Sequence, residues 1–374
     1  MNPEIFRAYD IRGVYPKDIN KEDINLIAKS YVYWLRKNTG KDNLKIAIGR
    51  DVRLSGEKLM NSAIEGLTDM GVEVKDVGII STDMLYFAVA NYGFDGGLVV
   101  TASHNPGEYN GMKVVREESR PISSDTGLQE IRDLAFNNDF INADVKGTLE
   151  KLDIIDDYVN KMITFAKKDS IEKFKILVNP NFGAAGRAIQ KIADYYDINL
   201  VKLNFDADGN FPKGQPDPLL TINRQDMKEN IEISKPDFAV TWDADADRCM
   251  FYDENGAFVQ PVYITGILMD YFLENTENEC IVTDPRLIWL PTEIAKNYNA
   301  RIAINKSGHS FIKDRMREEN AIFGAETSAH YYFKDLWYTD NGMLPFIIVM
   351  KIASAKGKKF SELIAEYRAK SYTK

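Results

Sequence analysis

Apolar and polar positions along this chain fall into two alternating textures. Short β-branched runs are followed by longer stretches whose apolar residues recur three or four apart. Residues 44–49 predict a strand, and 55–70 predict a helix with Leu59, Ala63, Leu67 and Met70 on one face. Ser55 stands before that helix as a candidate N-cap. Residues 72–79 and 97–101 predict two more strands, the second leading into a polar loop.

The rhythm then restarts twice. Strands are expected at 175–179, 199–203 and 238–242, with a helix at 183–196. Further on, strands are expected at 279–283, 301–305 and 322–324, with helices at 290–298 and 360–372. Strand–helix–strand grammar repeated three times implies an α/β fold of three successive related α/β/α domains. The expected boundaries are 1–147, 148–254 and 255–374, the second at the turn-like Asp253-Glu254-Asn255-Gly256.

Composition narrows the class. Of 374 residues, 44% are hydrophobic and 28% charged, which excludes a disordered chain. The net charge of −9 lacks the electrostatic footprint of a nucleic-acid binder. It still permits an anionic ligand in a locally basic cleft. The N-terminus has no basic and apolar leader, and the strongest apolar run, 344–350, is far too short to span a bilayer. Cys249 and Cys280 sit in apolar runs without metal-ligand spacing and read as buried thiols of a reducing compartment. A cytoplasmic protein that engages neither membrane nor nucleic acid is expected.

Four polar stretches carry candidate chemistry. Thr101-Ala-Ser103-His104-Asn-Pro106-Gly presents Ser103 on a tight loop after a strand, as a nucleophile or phosphate carrier. It lacks the G-x-S-x-G elbow of hydrolases, and His104, as sequence neighbour, reads as poorly placed to be the serine's base. Lys113 is a candidate cation or base. In Asp243-Ala-Asp245-Ala-Asp247-Arg248, extended backbone would put three carboxylates on one side, where a hard divalent cation relieves their repulsion. An EF-hand would need Gly where Arg248 stands, although Glu254 falls at its twelfth position. Glu326, Ser328 and His330 alternate after another strand and suit a polyhydroxylated ligand. Arg7 and Arg12, in Arg7-Ala-Tyr9-Asp-Ile-Arg12-Gly, are candidates for gripping phosphate. The chain's 3 histidines, His104, His309 and His330, all lie in polar Gly- or Ser-containing stretches. No P-loop or H-E-x-x-H occurs, and Gly183-Ala-Ala-Gly186 reads as a tight β–α turn, lacking the first glycine of a dinucleotide fingerprint.

With YDIRG at 9–13, TASHNP at 101–106, DADADR at 243–248 and GAETSAH at 324–330, the chain resembles the α-D-phosphohexomutases, most closely the phosphomannomutase/phosphoglucomutase branch. The resemblance runs from about residue 5 to 370. It implies mixed sheets with an active-site cleft between the domains. It implies that Ser103 is a phosphoserine, and that Asp243, Asp245 and Asp247 hold Mg²⁺, with an oxygen of the modified Ser103 completing the site. Arg248 then helps to hold the reacting groups, and Lys113 and His309 are candidates for proton transfer. Glu326, Ser328 and His330 meet the sugar, and Tyr9, Arg12 and His104 contribute to substrate binding.

The implied reaction interconverts hexose 1-phosphate and hexose 6-phosphate through a hexose 1,6-bisphosphate, and His330 favours mannose or dual mannose and glucose specificity. A monomer or dimer is expected. Family members usually carry a fourth domain whose loop binds the non-transferring phosphate, and that domain is expected to be absent from these 374 residues. Two alternatives stay open: a sugar-phosphate-binding protein with little turnover, and a phosphatase or mutase using Asp243 as an aspartyl-phosphate nucleophile.

Overall fold

The computed structural model describes residues 1–138 and 140–370. The chain opens with β1 (Ile11–Val14), α1 (Lys21–Thr39), β2 (Lys45–Arg50), α2 (Gly56–Asp69), β3 (Glu73–Ile79), α3 (Thr82–Asn91), β4 (Gly96–Val100), β5 (Tyr109–Arg116), α4 (Leu128–Asn137) and β6 (Leu149–Lys151). It continues with α5 (Ile155–Ile163), β7 (Lys175–Asn179), α6 (Gly186–Tyr196), β8 (Asn199–Lys202), α7 (Thr221–Ser234), β9 (Phe238–Trp242), β10 (Cys249–Asp253) and β11 (Phe258–Val259). Then follow α8 (Pro261–Leu273), β12 (Cys280–Thr283), α9 (Trp289–Asn297), β13 (Arg301–Ile304), α10 (His309–Glu319), β14 (Phe323–Ala325), β15 (Tyr331–Phe333), β16 (Thr339–Asp340), α11 (Met343–Lys356) and α12 (Phe360–Lys370).

These strands form three mixed sheets, each flanked by helices. Their orders are β1-β5-β4-β2-β3-β6, β11-β10-β9-β7-β8 and β13-β12-β14-β15-β16. The same core recurs in each. A central strand (β2, β7 or β12) has parallel neighbours on both sides, and one of those neighbours passes the chain to an antiparallel strand. That antiparallel strand is β5, β10 or β15. Tertiary contacts divide the chain into two units. Met1–Ile154 with Asp208–Gln215 contains the first sheet, and Ile155–Ala207 with the chain from Pro216 onward contains the other two.

The hydrophobic pattern explains the packing. Leu59, Ala63 and Leu67 of α2 are fully buried and Met70 nearly so, as their spacing predicts. Ser55 precedes α2 but makes no cap; its Oγ instead accepts a hydrogen bond from Asn110 Nδ2 at 2.8 Å. The apolar run 344–350 lies in α11, whose Leu344 and Phe346–Met350 side chains are buried all round, as a helix without a polar face must be. The turn expected at 253–256 is the hairpin joining β10 to β11, closed by Asp253 N–H to Ala257 O at 3.0 Å. Both cysteines are free and buried, and burial raises each thiol's pKa. Among the described residues no helix is long and apolar enough to cross a membrane. The helix expected to run to Tyr372 is described to Lys370, and Tyr372 lies outside the described residues.

Candidate active site

Each of the three candidate loops occupies the same topological place. They connect β4 to β5, β9 to β10 and β14 to β15, where a parallel strand ends and the chain turns back. Carboxyl ends of strands are where open α/β sheets bind ligands.

In the first unit, the loop after β4 is bent at Ser103, whose φ is +49°. The kink needs support, because a left-handed non-glycine residue is strained. Ser103 N–H donates to Thr101 Oγ1 at 2.9 Å, and Arg53 binds the loop's carbonyls. The fully buried Arg53 guanidinium donates to Ser103 O (2.6 Å), Asn105 O (2.7 Å), Pro106 O (2.6 Å) and Tyr109 O (2.9 Å). Asp51 balances its charge at 3.1 Å and also accepts from Thr101 Oγ1 at 2.7 Å.

Ser103 Oγ lies 3.2 Å from His104 Nδ1. The expectation that His104 is poorly placed to be the serine's base thus meets a geometry in which the two side chains are within hydrogen-bond distance. Arg12 donates to Asn105 Oδ1 at 2.8 Å and pairs with Asp10, so it braces the loop. Lys113 is buried on β5 with Nζ 3.5 Å from Thr82 Oγ1, and Tyr9 is half-buried just before β1.

In the second unit, Asp243, Asp245 and Asp247 are all buried, and their carboxylate oxygens lie within 4.8 Å of one another. The expected convergence holds but its reason differs. The backbone is a turn rather than a strand: Ala246 has φ +52°, and its N–H donates to Asp243 O at 3.0 Å. Gly183 packs beneath, where a Cβ would lie 2.4 Å from Ala244 O, and Ala184 N–H donates to that same oxygen at 3.0 Å. The 183–186 stretch is therefore a brace for the acidic loop, and α6 starts only at Gly186.

Arg248 Nε approaches Asp243 Oδ2 at 3.2 Å, and the Arg248 backbone N–H donates to Asp243 Oδ1 at 3.3 Å. Burial, then Asp247, pushes the Asp243 pKa well up, with Arg248 opposing. Three buried carboxylates within reach of one ion form an all-oxygen anionic donor set, which fits a hard divalent cation such as Mg²⁺. Glu254, the EF-hand's twelfth position, instead accepts from Ser361 N–H at 3.0 Å.

The loop after β14 closes similarly. Ala329 has φ +66°, Glu326 N–H donates to His330 O at 3.0 Å, and Ala329 N–H donates to Glu326 O at 3.0 Å. Here too a turn, not strand alternation, brings the side chains together. Ser328 Oγ lies 2.8 Å from His330 Nδ1, and Glu326 Oε2 lies 3.7 Å from the same nitrogen. Glu326 also accepts from Gly308 N–H at 2.7 Å and from Tyr332 OH. His330 Nε2 reaches Asp247 Oδ1 at 3.3 Å, joining this loop to the acidic one. Burial would lower the His330 pKa, but Asp247 and Glu326 outweigh it, so the pKa is raised. His309 begins α10 and is buried.

Several site-building residues escape a reading by sequence motif. Arg53 and Asp51 follow β2, and Asp284 follows β12. Charged residues at the ends of parallel strands were the available signal. Asp284 Oδ2 accepts from Thr327 N–H at 2.8 Å and Thr327 Oγ1 at 2.9 Å. Lys313, one helical turn after His309, is fully buried and pairs with Asp340 at 2.5 Å.

Comparison with known proteins agrees with the fold and the loops. Three domain families match: phosphoglucomutase/phosphomannomutase alpha/beta/alpha domain I at residues 3–142, domain II at 156–256 and domain III at 260–370. Their succession defines the class: three phosphoglucomutase/phosphomannomutase alpha/beta/alpha domains in series. The chain belongs to the phosphoglucomutase/phosphomannomutase family. It is 40% identical to a phosphomannomutase of Vibrio cholerae, covering 97% of this chain and 80% of that protein. It is 38% identical to a phosphomannomutase of Escherichia coli K12 over the same shares, 97% and 80%. A crystal structure of a phosphoglucomutase/phosphomannomutase family protein from Burkholderia thailandensis superposes with a TM-score of 0.89 at 28% identity, covering 97% of this chain and 79% of that one.

Proposed function

We propose that this chain is a phosphohexomutase that interconverts hexose 1-phosphate and hexose 6-phosphate, with mannose the first sugar to test and glucose beside it. The observation that carries this reading is the recurrence of one topological position in three sheets. It bears a kinked serine loop, a three-carboxylate loop and a carboxylate–hydroxyl–imidazole loop in turn. The names of the relatives support the substrate class.

In this reading Ser103 carries the phosphoryl group. A free sugar hydroxyl attacks the phosphorus, the P–O bond to Ser103 breaks, and a new P–O bond to the sugar forms. The hydroxyl proton passes to Lys113 or His309, and the product is a hexose 1,6-bisphosphate. After the bisphosphate turns, its other phosphoryl group returns to Ser103 by the reverse step. Asp243, Asp245 and Asp247 would hold Mg²⁺, which supplies positive charge to the transferring phosphoryl oxygens. Arg248 holds Asp243 in place for that role. Glu326, Ser328 and His330 take the sugar hydroxyls, while Tyr9, Arg12 and His104 contribute to binding the phosphosugar.

A coupled assay with mannose 1-phosphate, Mg²⁺ and a trace of bisphosphate tests the proposal. Sustained formation of mannose 6-phosphate is expected. Tight binding of the sugar phosphate without any product would favour the binding-protein alternative and overturn the enzyme reading.

A further inference from the structure

α10 presents His309 and Lys313 four residues apart, hence on one helix face. Lys313 is fully buried, as is Asp340, and their Nζ–Oδ1 distance is 2.5 Å. The same Nζ lies 3.4 Å from His309 Nδ1. Asp340 in turn lies in a cluster with Asp247 and His330, the nearest ligand atoms all within 4.8 Å. A buried ion pair is an expensive way to fill a core, since apolar residues of similar volume usually serve at least as well. Ile312 and Met316 on the same helix are buried and apolar. The pair's value therefore lies in what its charge and donors do for a neighbour.

We propose that Lys313, anchored by Asp340, is a positioning residue that fixes the tautomer of His309. An ammonium has three donors and no acceptor, so its contact with Nδ1 makes that nitrogen the acceptor. The neutral imidazole then carries its proton on Nε2. The hydrogen bond at one ring nitrogen sets the state of the other. His309 is thereby held as an Nε2–H hydrogen-bond donor, and with its Nδ1 lone pair taken by Lys313 it has no nitrogen left to accept the hydroxyl proton, which among the two candidates assigns that step to Lys113. This inference rests on the reading of His309 as a residue of the substrate site.

The test is nitrogen-15 NMR on histidine-labelled full-length protein. Only 3 histidines occur, so substitution of each assigns the spectrum. In the unmodified protein His309 should show an unprotonated Nδ1 and a protonated Nε2. In Lys313→Met the proton should redistribute over both nitrogens. With it, kcat should fall by about tenfold while KM changes little, as when one hydrogen bond made in the transition state is lost. His309→Gln combined with Lys313→Met should lose no more kcat than His309→Gln alone.

A protonated Nδ1 in the unmodified protein overturns the proposal, even if no Lys313 variant folds. So does a tautomer unchanged in Lys313→Met, or a kcat loss that multiplies in the double variant. Full activity of His309→Gln with the expected tautomer would instead discard the reading of His309 as a substrate-site residue and leave the positioning intact.

Discussion

Arg53 illustrates how a residue far from any motif builds the serine loop. Its guanidinium serves four backbone carbonyls and one carboxylate while fully buried. Replacing it by Met strands those carbonyls and removes the guanidinium that pairs with the buried Asp51. Urea unfolding should show a loss of about 3–5 kcal/mol, the usual cost of removing one partner of a buried pair. A loss below about 1 kcal/mol would mean that the loop holds its kink without Arg53. The acidic loop gives a prediction of opposite sign. Burial first, then Asp247 and, more weakly, Asp245 push the Asp243 pKa up, so Asp245→Asn removes repulsion from the metal-free protein. Thermal unfolding in chelator should occur at an equal or higher temperature than for the unmodified protein. The upward shift produced by Mg²⁺ should shrink. Ser103 and the three aspartates were legible because their residue types and spacing state a chemistry. Arg53 was not, because its partners are backbone groups that no side-chain pattern reveals.

At the scale of elements, β7 and β9 occupy the expected ranges 175–179 and 238–242, and α2 buries the face its spacing predicts. The acidic loop and the loop after β14 were read as extended backbone, and both are turns. Ser103, Ala246 and Ala329 each take a positive φ without being glycine, so nothing local announced the bend. The turns persist because surrounding groups hold them. Asp284 performs that service for the loop after β14. Burial would raise its pKa, but hydrogen bonds from Arg286 and from Thr327 hold the carboxyl below the ordinary aspartate range. A depressed folded-state pKa contributes stability above the unfolded value and loses it as pH falls through the folded one. Asp284→Asn should therefore cost about 1–3 kcal/mol at neutral pH by urea unfolding. That difference should diminish in acid, below the ordinary carboxylate range. If Thr327 orients its neighbours for sugar binding, the same variant should raise KM more than it lowers kcat. A constant destabilisation across pH would show that the Asp284 charge is not involved.

Across the whole molecule, one four-strand core order appears three times, and in the proposed function the loop between each core's third and fourth strands takes a different part of the chemistry. The repeated rhythm was legible because hydrophobic periodicity survives when sequence identity does not. The shared position of the loops was not, since strand order is set by pairing between distant segments. The net charge of −9 is partly stored in buried carboxylates. A cation that binds only the folded form should raise stability by about 2.7 kcal/mol at a hundredfold excess over its dissociation constant. Mg²⁺ should thus raise the unfolding temperature, and chelator should reverse the effect.

The central claim is that the phosphoryl group passes through Ser103, and peptide mapping after incubation with glucose 1,6-bisphosphate and Mg²⁺ addresses it most directly. The account predicts one acid-stable phosphoryl group on Ser103, absent from Ser103→Ala, which should also lose turnover. An acid-labile phosphate on Asp243, or undiminished turnover by Ser103→Ala, would contradict it.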